Sequence, residues 1–133
     1  MISIWNLVLE RILVRLEAED VRVSYSTEDN PKPASFPHVS LVESDDYTYT
    51  RTVTRKGEEH AVKMYSINVY SNSEEGRKAE AEKIMGIIDD EMLYIGFVRR
   101  SMLPISNMNQ ATVYRIAARY SGVVSKSGMI YRA

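Results

Sequence analysis

The chain has 133 residues, 44% of them hydrophobic and 26% charged, values at which one domain builds its own core and intrinsic disorder is not expected. Lysine and arginine number 17 against 18 acidic residues, a formal charge of -1, which argues against strong non-specific nucleic-acid binding and leaves room only for a local basic patch. Cysteine is absent, which excludes disulfides, thiolate metal sites and a cysteine nucleophile. The start, Met1 to Arg11, has no basic n-region or small-residue cleavage site, and no apolar run approaches the ~20 residues that cross a bilayer. A soluble protein with no membrane partner is therefore expected, made in the cytoplasm and kept there or in something assembled there.

Trp5, Val8, Leu9, Ile12, Leu13 and Leu16 recur at helical spacing, with Glu10, Arg11 and Arg15 on the other side. They predict an amphipathic helix over Ser3 to Ala18. Ile2, Leu7 and Val14 widen its apolar surface, and extra core contact is favoured over a subunit interface as their use. Val21 to Tyr25 alternates as a strand. The segment Thr27 to Pro37, with Pro31, Pro33 and Pro37, reads as an irregular loop. His38 to Val42 resumes a strand, and Asp45-Asp46 reads as a turn. From Tyr47 to Thr54, Tyr47, Tyr49 and Val53 share one face, and Thr48, Thr50, Thr52 and Thr54 the other, a strong strand signal. Arg55-Lys56-Gly57-Glu58 turns the chain, and Glu59 to Ser71 returns as the partner strand. On this return Ala61, Tyr65, Ile67 and Val69 face one way and Val62, Met64 and Tyr70 the other. Two mixed faces predict a long hairpin whose outer half projects past the core.

Asn72 to Gly96 reads as a second helix with a start and a stop. Asn72 as cap with Glu75 three residues on matches a capping box. Ala81, Ile84, Met85, Ile88, Met92 and Ile95 form an apolar stripe. Gly96 suits the left-handed C′ position, with Phe97 folding back over the end. Phe97 to Leu103 alternates again, Pro104 and Asn107 to Asn109 read as a loop, and Ala111 to Val124 is a long strand. On that strand Tyr114, Ile116, Ala118 and Tyr120 oppose Val113, Arg115, Ala117 and Arg119. Ser125 to Gly128 turns into a short final strand, Met129 to Tyr131. This order predicts a single α+β domain over residues 1–133: a mainly antiparallel β-sheet, two α-helices packed on one face, and a projecting β-hairpin.

Chemistry is sparse. His38 and His60 lie in strand-like segments with no second ligand at metal spacing, and read as ordinary sheet residues. No Gly-x-Ser-x-Gly elbow or phosphate-binding glycine pattern occurs. Asp89, Asp90 and Glu91 are consecutive on a helix, so their side chains diverge by about 100° and do not converge on one ion. A solvated face, or salt bridges to Arg99, Arg100 or a neighbouring subunit, is expected for them. Among Arg99, Arg100, Arg115 and Arg119, alternation puts Arg115 and Arg119 on one strand face and Arg99 is expected near them on another strand; with Tyr114 or Tyr120 adjacent, such a face offers a phosphate contact. Pairing with the helix carboxylates or with an oligomer partner is favoured over that use. No catalytic residue, metal or cofactor is expected. The 9 tyrosines and 7 methionines are residue types enriched where proteins meet proteins.

The segments Asn68-Val69-Tyr70-Ser71-Asn72, Glu75 to Ala81, Gly96-Phe97-Val98-Arg99-Arg100, Pro104 to Asn107 and Ala111 to Tyr120 together resemble the tail terminator proteins of long-tailed bacteriophages and prophages. These are the tail-completion, or head–tail joining, proteins. The resemblance covers about half of the chain, and the first half agrees in its order of elements. It implies a non-enzymatic α+β subunit in the neck of a virion, assembled in the host cytoplasm. The subunit would form a homohexameric ring that caps the tail tube, stops its polymerisation and docks to the head–tail connector or head-closure protein. DNA would pass through the lumen without sequence-specific binding. A ring needs two different surfaces on each subunit. The expected contacts are Tyr47, Tyr49, Arg51, Arg55, Lys56, Glu58 and Glu59 on the hairpin, with Arg77, Asp89, Asp90, Arg99, Arg100, Arg115 and Arg119 on helix and strand surfaces. The alternatives are another neck, head-closure or minor capsid protein and, less favoured, a small nucleic-acid-binding module.

Overall fold

The computed structural model describes residues 3–28, 33, 35–48, 60–105, 112–125 and 130–131, with the backbone alone at 44–48, 60 and 131. The chain runs α1 (Trp5–Ala18), β1 (Ser24–Ser26), β2 (His38–Thr48), β3 (His60–Ser71), α2 (Arg77–Ile95), β4 (Val98–Ile105), β5 (Tyr114–Ser125) and β6 (Ile130–Tyr131). The strands form one sheet in the order β1-β2-β3-β5-β4, with β6 also on β5. Only β1 and β2 pair in parallel; the remaining pairs are antiparallel. This is the α+β architecture that the alternation of strand and helix periods predicts.

Period-two alternation gives the sheet one apolar face. Val39 and Leu41 of β2, Tyr65, Ile67 and Val69 of β3, and Ile116, Ala118 and Tyr120 of β5 all join the core. The register sets Tyr65 opposite Tyr120, Ile67 opposite Ala118 and Val69 opposite Ile116. Against this face lie Val8, Leu9, Ile12 and Leu16 of α1 and Ala81, Ile84, Met85, Ile88 and Met92 of α2. Each fully buried aliphatic or aromatic side chain stabilises the fold by about 1.5–3 kcal/mol before chain entropy is counted.

Both helices end alike. Phe97 N–H donates to Met92 O (3.0 Å) and Gly96 N–H to Leu93 O (3.3 Å), with Gly96 at φ 115°. Val21 N–H donates to Leu16 O (2.9 Å) and Asp20 N–H to Glu17 O (3.0 Å), with Asp20 at φ 59°. These are Schellman ends, which reverse the chain onto the core through one left-handed residue. The one after α2 is the end that Gly96 predicts. The one after α1 uses an aspartate, a residue that tolerates this conformation because its short polar side chain bonds locally.

Four expectations are corrected. The Asn72–Glu75 capping box does not form: β3 continues to Ser71, residues 74–76 turn, and α2 starts after Gly76 with no side-chain cap. Ser71 takes over at this end, its hydroxyl donating to Glu80 Oε1 (2.7 Å) and accepting from Ser73 N–H (3.3 Å). Asp45 and Asp46 are not a turn but part of β2, opposite Met64 and Lys63, beyond a bulge between Glu43 and Asp45. The bulge takes up one extra residue and lets a single strand run through. Pro104 lies within β4, opposite Ile116, where a missing N–H is tolerated because β4 is an edge strand. On α1, Ile4 rather than Trp5 fills the first buried place; Trp5, Leu7 and Val14 are 44%, 44% and 58% exposed. The layers beneath α1 reach one stripe only, and Leu7 and Val14, seven residues apart, lie off it.

Two glycines, one within α2 and one just after it, answer one substitution with opposite signs. A methyl at Gly96 would sit 3.0 Å from Ile130 O in a left-handed backbone, whereas one at Gly86 would meet nothing within 4 Å. Gly96→Ala is expected to lower stability by about 2 kcal/mol, and Gly86→Ala to raise it by about 1 kcal/mol. Chemical denaturation monitored by circular dichroism would check both.

Candidate functional site

The carboxylates of α2 separate by direction. Glu91, buried, accepts from Arg11 Nε of α1 (3.1 Å) and pairs with Arg15 Nη1 (3.5 Å), tying the two helices together. Asp89 turns towards the sheet, where its Oδ1 accepts from Tyr120 OH (2.7 Å) and its Oδ2 from Arg99 Nη1 (3.1 Å). Asp90 is exposed. The expected salt bridge to Arg99 is present. Of the solvated face and the salt bridges expected for this cluster, Asp90 shows the first and Asp89 the second, while Glu91 pairs with α1 instead, because one turn of helix points consecutive residues to solvent, to α1 and to β5. Burial and the Asp89 carboxylate push the Tyr120 phenol above the ordinary tyrosine value of 10.0, so it remains a neutral donor.

The arginines also separate. Register places Arg99 opposite Tyr120, on the side facing the helices. Arg115 and Arg119 point to the other side of the sheet. Between Arg99 and Ser101 the β4–β5 pairing shifts, and at this irregularity Arg100 donates its Nε to Ser121 Oγ (2.7 Å). Arg115 and Arg119 share a face as alternation predicts; the expectation that Arg99 lies near them is corrected, since Arg99 is on the helix side and Arg100 is on theirs. Arg115 donates Nε to Asn68 Oδ1 (2.9 Å), and its guanidinium carbon lies 5.3 Å from the centroid of the Tyr70 ring, a cation–π arrangement. Arg100 and Arg119 are exposed and Arg115 half-buried.

At the β1 end of this face His38 is buried, 4% exposed. Ser24 Oγ lies 2.6 Å from its Nδ1 and Ser26 Oγ 3.0 Å from its Nε2, and Tyr70 meets it edge-on at 5.9 Å. Burial lowers its pKa from 6.5, so the neutral ring is favoured and acidification through that range costs stability. Both ring nitrogens face serines, and no described carboxylate orients them as a catalytic base would need. The group ties β1 to β2, as an ordinary sheet histidine does.

Arg77 opens α2 and is exposed. Tyr47 lies in β2 opposite Val62. Tyr49, Arg51, Arg55, Lys56, Glu58 and Glu59 lie outside the described residues. No group of three or more potential metal ligands occurs among the described residues, and no described helix is long and apolar enough to cross a membrane. Helical spacing alone does not single out the groove of about 250 Å³ between the helices, lined by Leu7, Val8, Arg11, Tyr94, Ile95 and Ile130. Tyr94, 78% exposed, stands at its rim. The clue in the sequence is Leu7 itself, an apolar residue off the core stripe.

Comparison with solved structures finds this fold elsewhere. A chain from the virion of a native gene transfer agent (GTA) particle matches with a TM-score of 0.54 and 17% identity, over 86% of this chain and 88% of that one. The bacteriophage SPP1 gp17 protein matches with a TM-score of 0.42 and 17% identity, over 87% of this chain and 88% of that one. No protein-family model and no curated protein matches the chain.

Tyr120→Phe removes the donor to Asp89 and is expected to cost about 1.5–3 kcal/mol near neutral pH, the usual range for a hydrogen bond to a charged group. The pH dependence has a definite sign. A folded-state pKa raised above the unfolded one stabilises the fold below pH 10 and loses that contribution as pH climbs past 10. The wild-type protein should therefore lose stability in that alkaline range more steeply than Tyr120→Phe, as read by denaturation midpoints at successive pH values.

Proposed function

We propose that this chain is a non-enzymatic structural protein of a phage or prophage virion, and specifically a tail terminator. In this reading identical subunits close into a hexameric ring on the head-proximal end of the tail. The ring caps the tail tube protein, halts its polymerisation and presents its other face to the head–tail connector or head-closure protein. DNA passes through the lumen without base-specific contacts. The observation that carries the reading is the fold shared, over nearly the whole of both chains, with a component of a gene transfer agent virion. The resemblance of the segments around α2 and β5 to tail terminators points the same way.

Exposed apolar side chains on the helix layer add physical support. Leu7, Val14 and Tyr94 contribute nothing to the core and sit beside charged residues, the composition of a surface that becomes covered on assembly. A closed ring of one subunit type joins two unlike surfaces. On one side we place the hairpin, with Tyr47, Tyr49, Arg51, Arg55, Lys56, Glu58 and Glu59. On the other we place Arg77, Asp90 and the exposed parts of α2 and β4. Asp89 and Arg99, which already hold one another, help to shape this second surface.

The purified protein, alone and mixed with its cognate tail tube protein, should give a six-membered ring by light scattering and negative-stain imaging, and should fix the length of the tubes. Rings that bind the connector without limiting tube growth would move the assignment to another neck or head-closure protein. A chain that stays monomeric beside tubes of unlimited length would overturn it. Deleting residues 55–59 is expected to abolish ring formation while leaving the melting temperature of the subunit unchanged.

A further inference from the structure

We infer that the groove between α2 and β4 receives α1 of a second copy of this chain, with Glu10, Leu13 and Glu17 of one subunit set against Lys78, Gly86 and the thinly covered β4 of the next. The inference deepens the reading above, and rests on it for the head-to-tail closure that brings unlike surfaces together.

The helix layer covers the sheet unevenly. α1 packs on β2 and α2, and α2 on β3, β5 and β4, yet no residue of β4 is fully buried. Between α2 and this strand lies a groove of about 420 Å³, lined by the apolar side chains of Met85, Met102, Tyr114 and Ile116. Met102 and Tyr114 are half-buried, and Leu103 beside them is 51% exposed. Gly86 lines the groove from α2, and a methyl on it would meet nothing within 4 Å. Alanine fits that position and holds a helix better. Glycine leaves the backbone bare, which lets a second helix come close.

Charge names the occupant. Helix dipoles favour cations in the last turn and anions in the first, but Glu17 stands in the last turn of α1, and Arg77 and Lys78 in the first turn of α2. The favourable charges of those turns are engaged elsewhere, Arg15 with Glu91 and Glu80 with Ser71. Arg11 and Arg15 mark the flank of α1 that faces α2, since they hold Glu91; helical geometry puts Glu10, Leu13 and Glu17 on the opposite flank. Glu10, Glu17, Arg77 and Lys78 are exposed and form no ion pair among the described residues. An acidic flank at the β2 end of the sheet thus answers a basic groove end at the β4 end. Direction agrees. Within the subunit the two helices are antiparallel, with Leu7 and Val8 beside Tyr94 and Ile95, and Asp20 and Val21 beside Ala79 and Lys83. A ring keeps the sense of each element from one subunit to the next, so Glu17 of the neighbour falls at the Lys78 end of the groove. Like surfaces meeting in a two-fold dimer would oppose carboxylate to carboxylate instead. Because α1 packs on β2, the first strand of the hairpin, its flank extends the surface on which the hairpin was placed.

Sedimentation velocity across protein concentrations, on the protein alone and with its tail tube protein, tests this. Glu17→Lys and Lys78→Glu should each raise the concentration at which subunits associate by about tenfold. Each should also raise the melting temperature of the subunit, because it puts the favoured charge at its helix end. The double variant exchanges the signs of the pair and should return to within about threefold of wild type. Gly86→Leu fills the groove and should abolish association, with the circular dichroism of the subunit unchanged. Single reversals that leave association unchanged, or a double variant no better than either, overturn the inference. So does Gly86→Leu protein that still forms rings but no longer caps tubes, which would assign the groove to the tube protein. The absence of cysteine permits a second readout. Glu17→Cys combined with Lys78→Cys should oxidise to a ladder of covalent oligomers, whereas covalent dimers of Glu17→Cys alone refute the contact. The two readings fail separately. Rings that form without the ladder keep the terminator reading and remove this contact; a ladder in a protein that closes no six-membered ring and limits no tube keeps the contact and removes the terminator.

Discussion

Everything in this fold depends on how the last turn of α2 is fastened to the sheet. Gly96 takes a left-handed conformation, the chain reverses, and Phe97 is driven into the core with no exposed surface. Its seat is Gly122 of β5, where a Cβ would come within 2.9 Å of the Phe97 ring. Tyr65 of β3 closes the seat edge-on at 5.6 Å. Three elements distant in sequence are held by one aromatic ring, and the absence of a side chain at Gly122 makes room for it. The helix axis, the start of β4 and the level of β5 are set together at this point, because packed interiors have few voids and little compressibility.

From that joint the polar contacts take their positions. With α2 fixed over β5, Asp89 reaches Tyr120 and Arg99, and Glu91 on the next residue reaches Arg11 and Arg15 across the helix layer. Each of these two carboxylates thereby has an arginine partner on the helix side of the sheet. Arg100 follows from the same geometry: with Arg99 opposite Tyr120 on the helix side, strand alternation sends the next side chain to the far face and onto Ser121.

The base of the hairpin carries a second device. Lys63 is 1% exposed and is held by Glu43 at 3.2 Å, close to the bulge in β2. Burying an ammonium group is costly unless it is paired, and a buried pair specifies geometry more reliably than it adds stability. Beyond the pair and the bulge the ladder continues to Thr48 and Ala61, and Ala61 is still part of the core. They help to define the register of β2 against β3, which hydrophobic alternation alone would leave open to slippage.

Periodicity and end signals in the sequence determined the two helices, the main strands, the α+β class and the stop at Gly96, because these depend on neighbours three or four residues away or on one residue's allowed backbone angles. The buried stripes of α2 and β3 were legible for the same reason. Tertiary structure alone decided the rest. Asn72 matches a cap in sequence but is passed over because β3 runs on; Asp45-Asp46 resembles a turn until a bulge lets β2 pass through it. Trp5 and Leu7 carry a core residue's chemistry, and only the number of layers beneath α1 leaves them outside. Arg115 and Arg119 share a face by alternation alone, but which of Arg99 and Arg100 lies on that side depends on how β4 pairs with β5, a long-range register that no local pattern encodes.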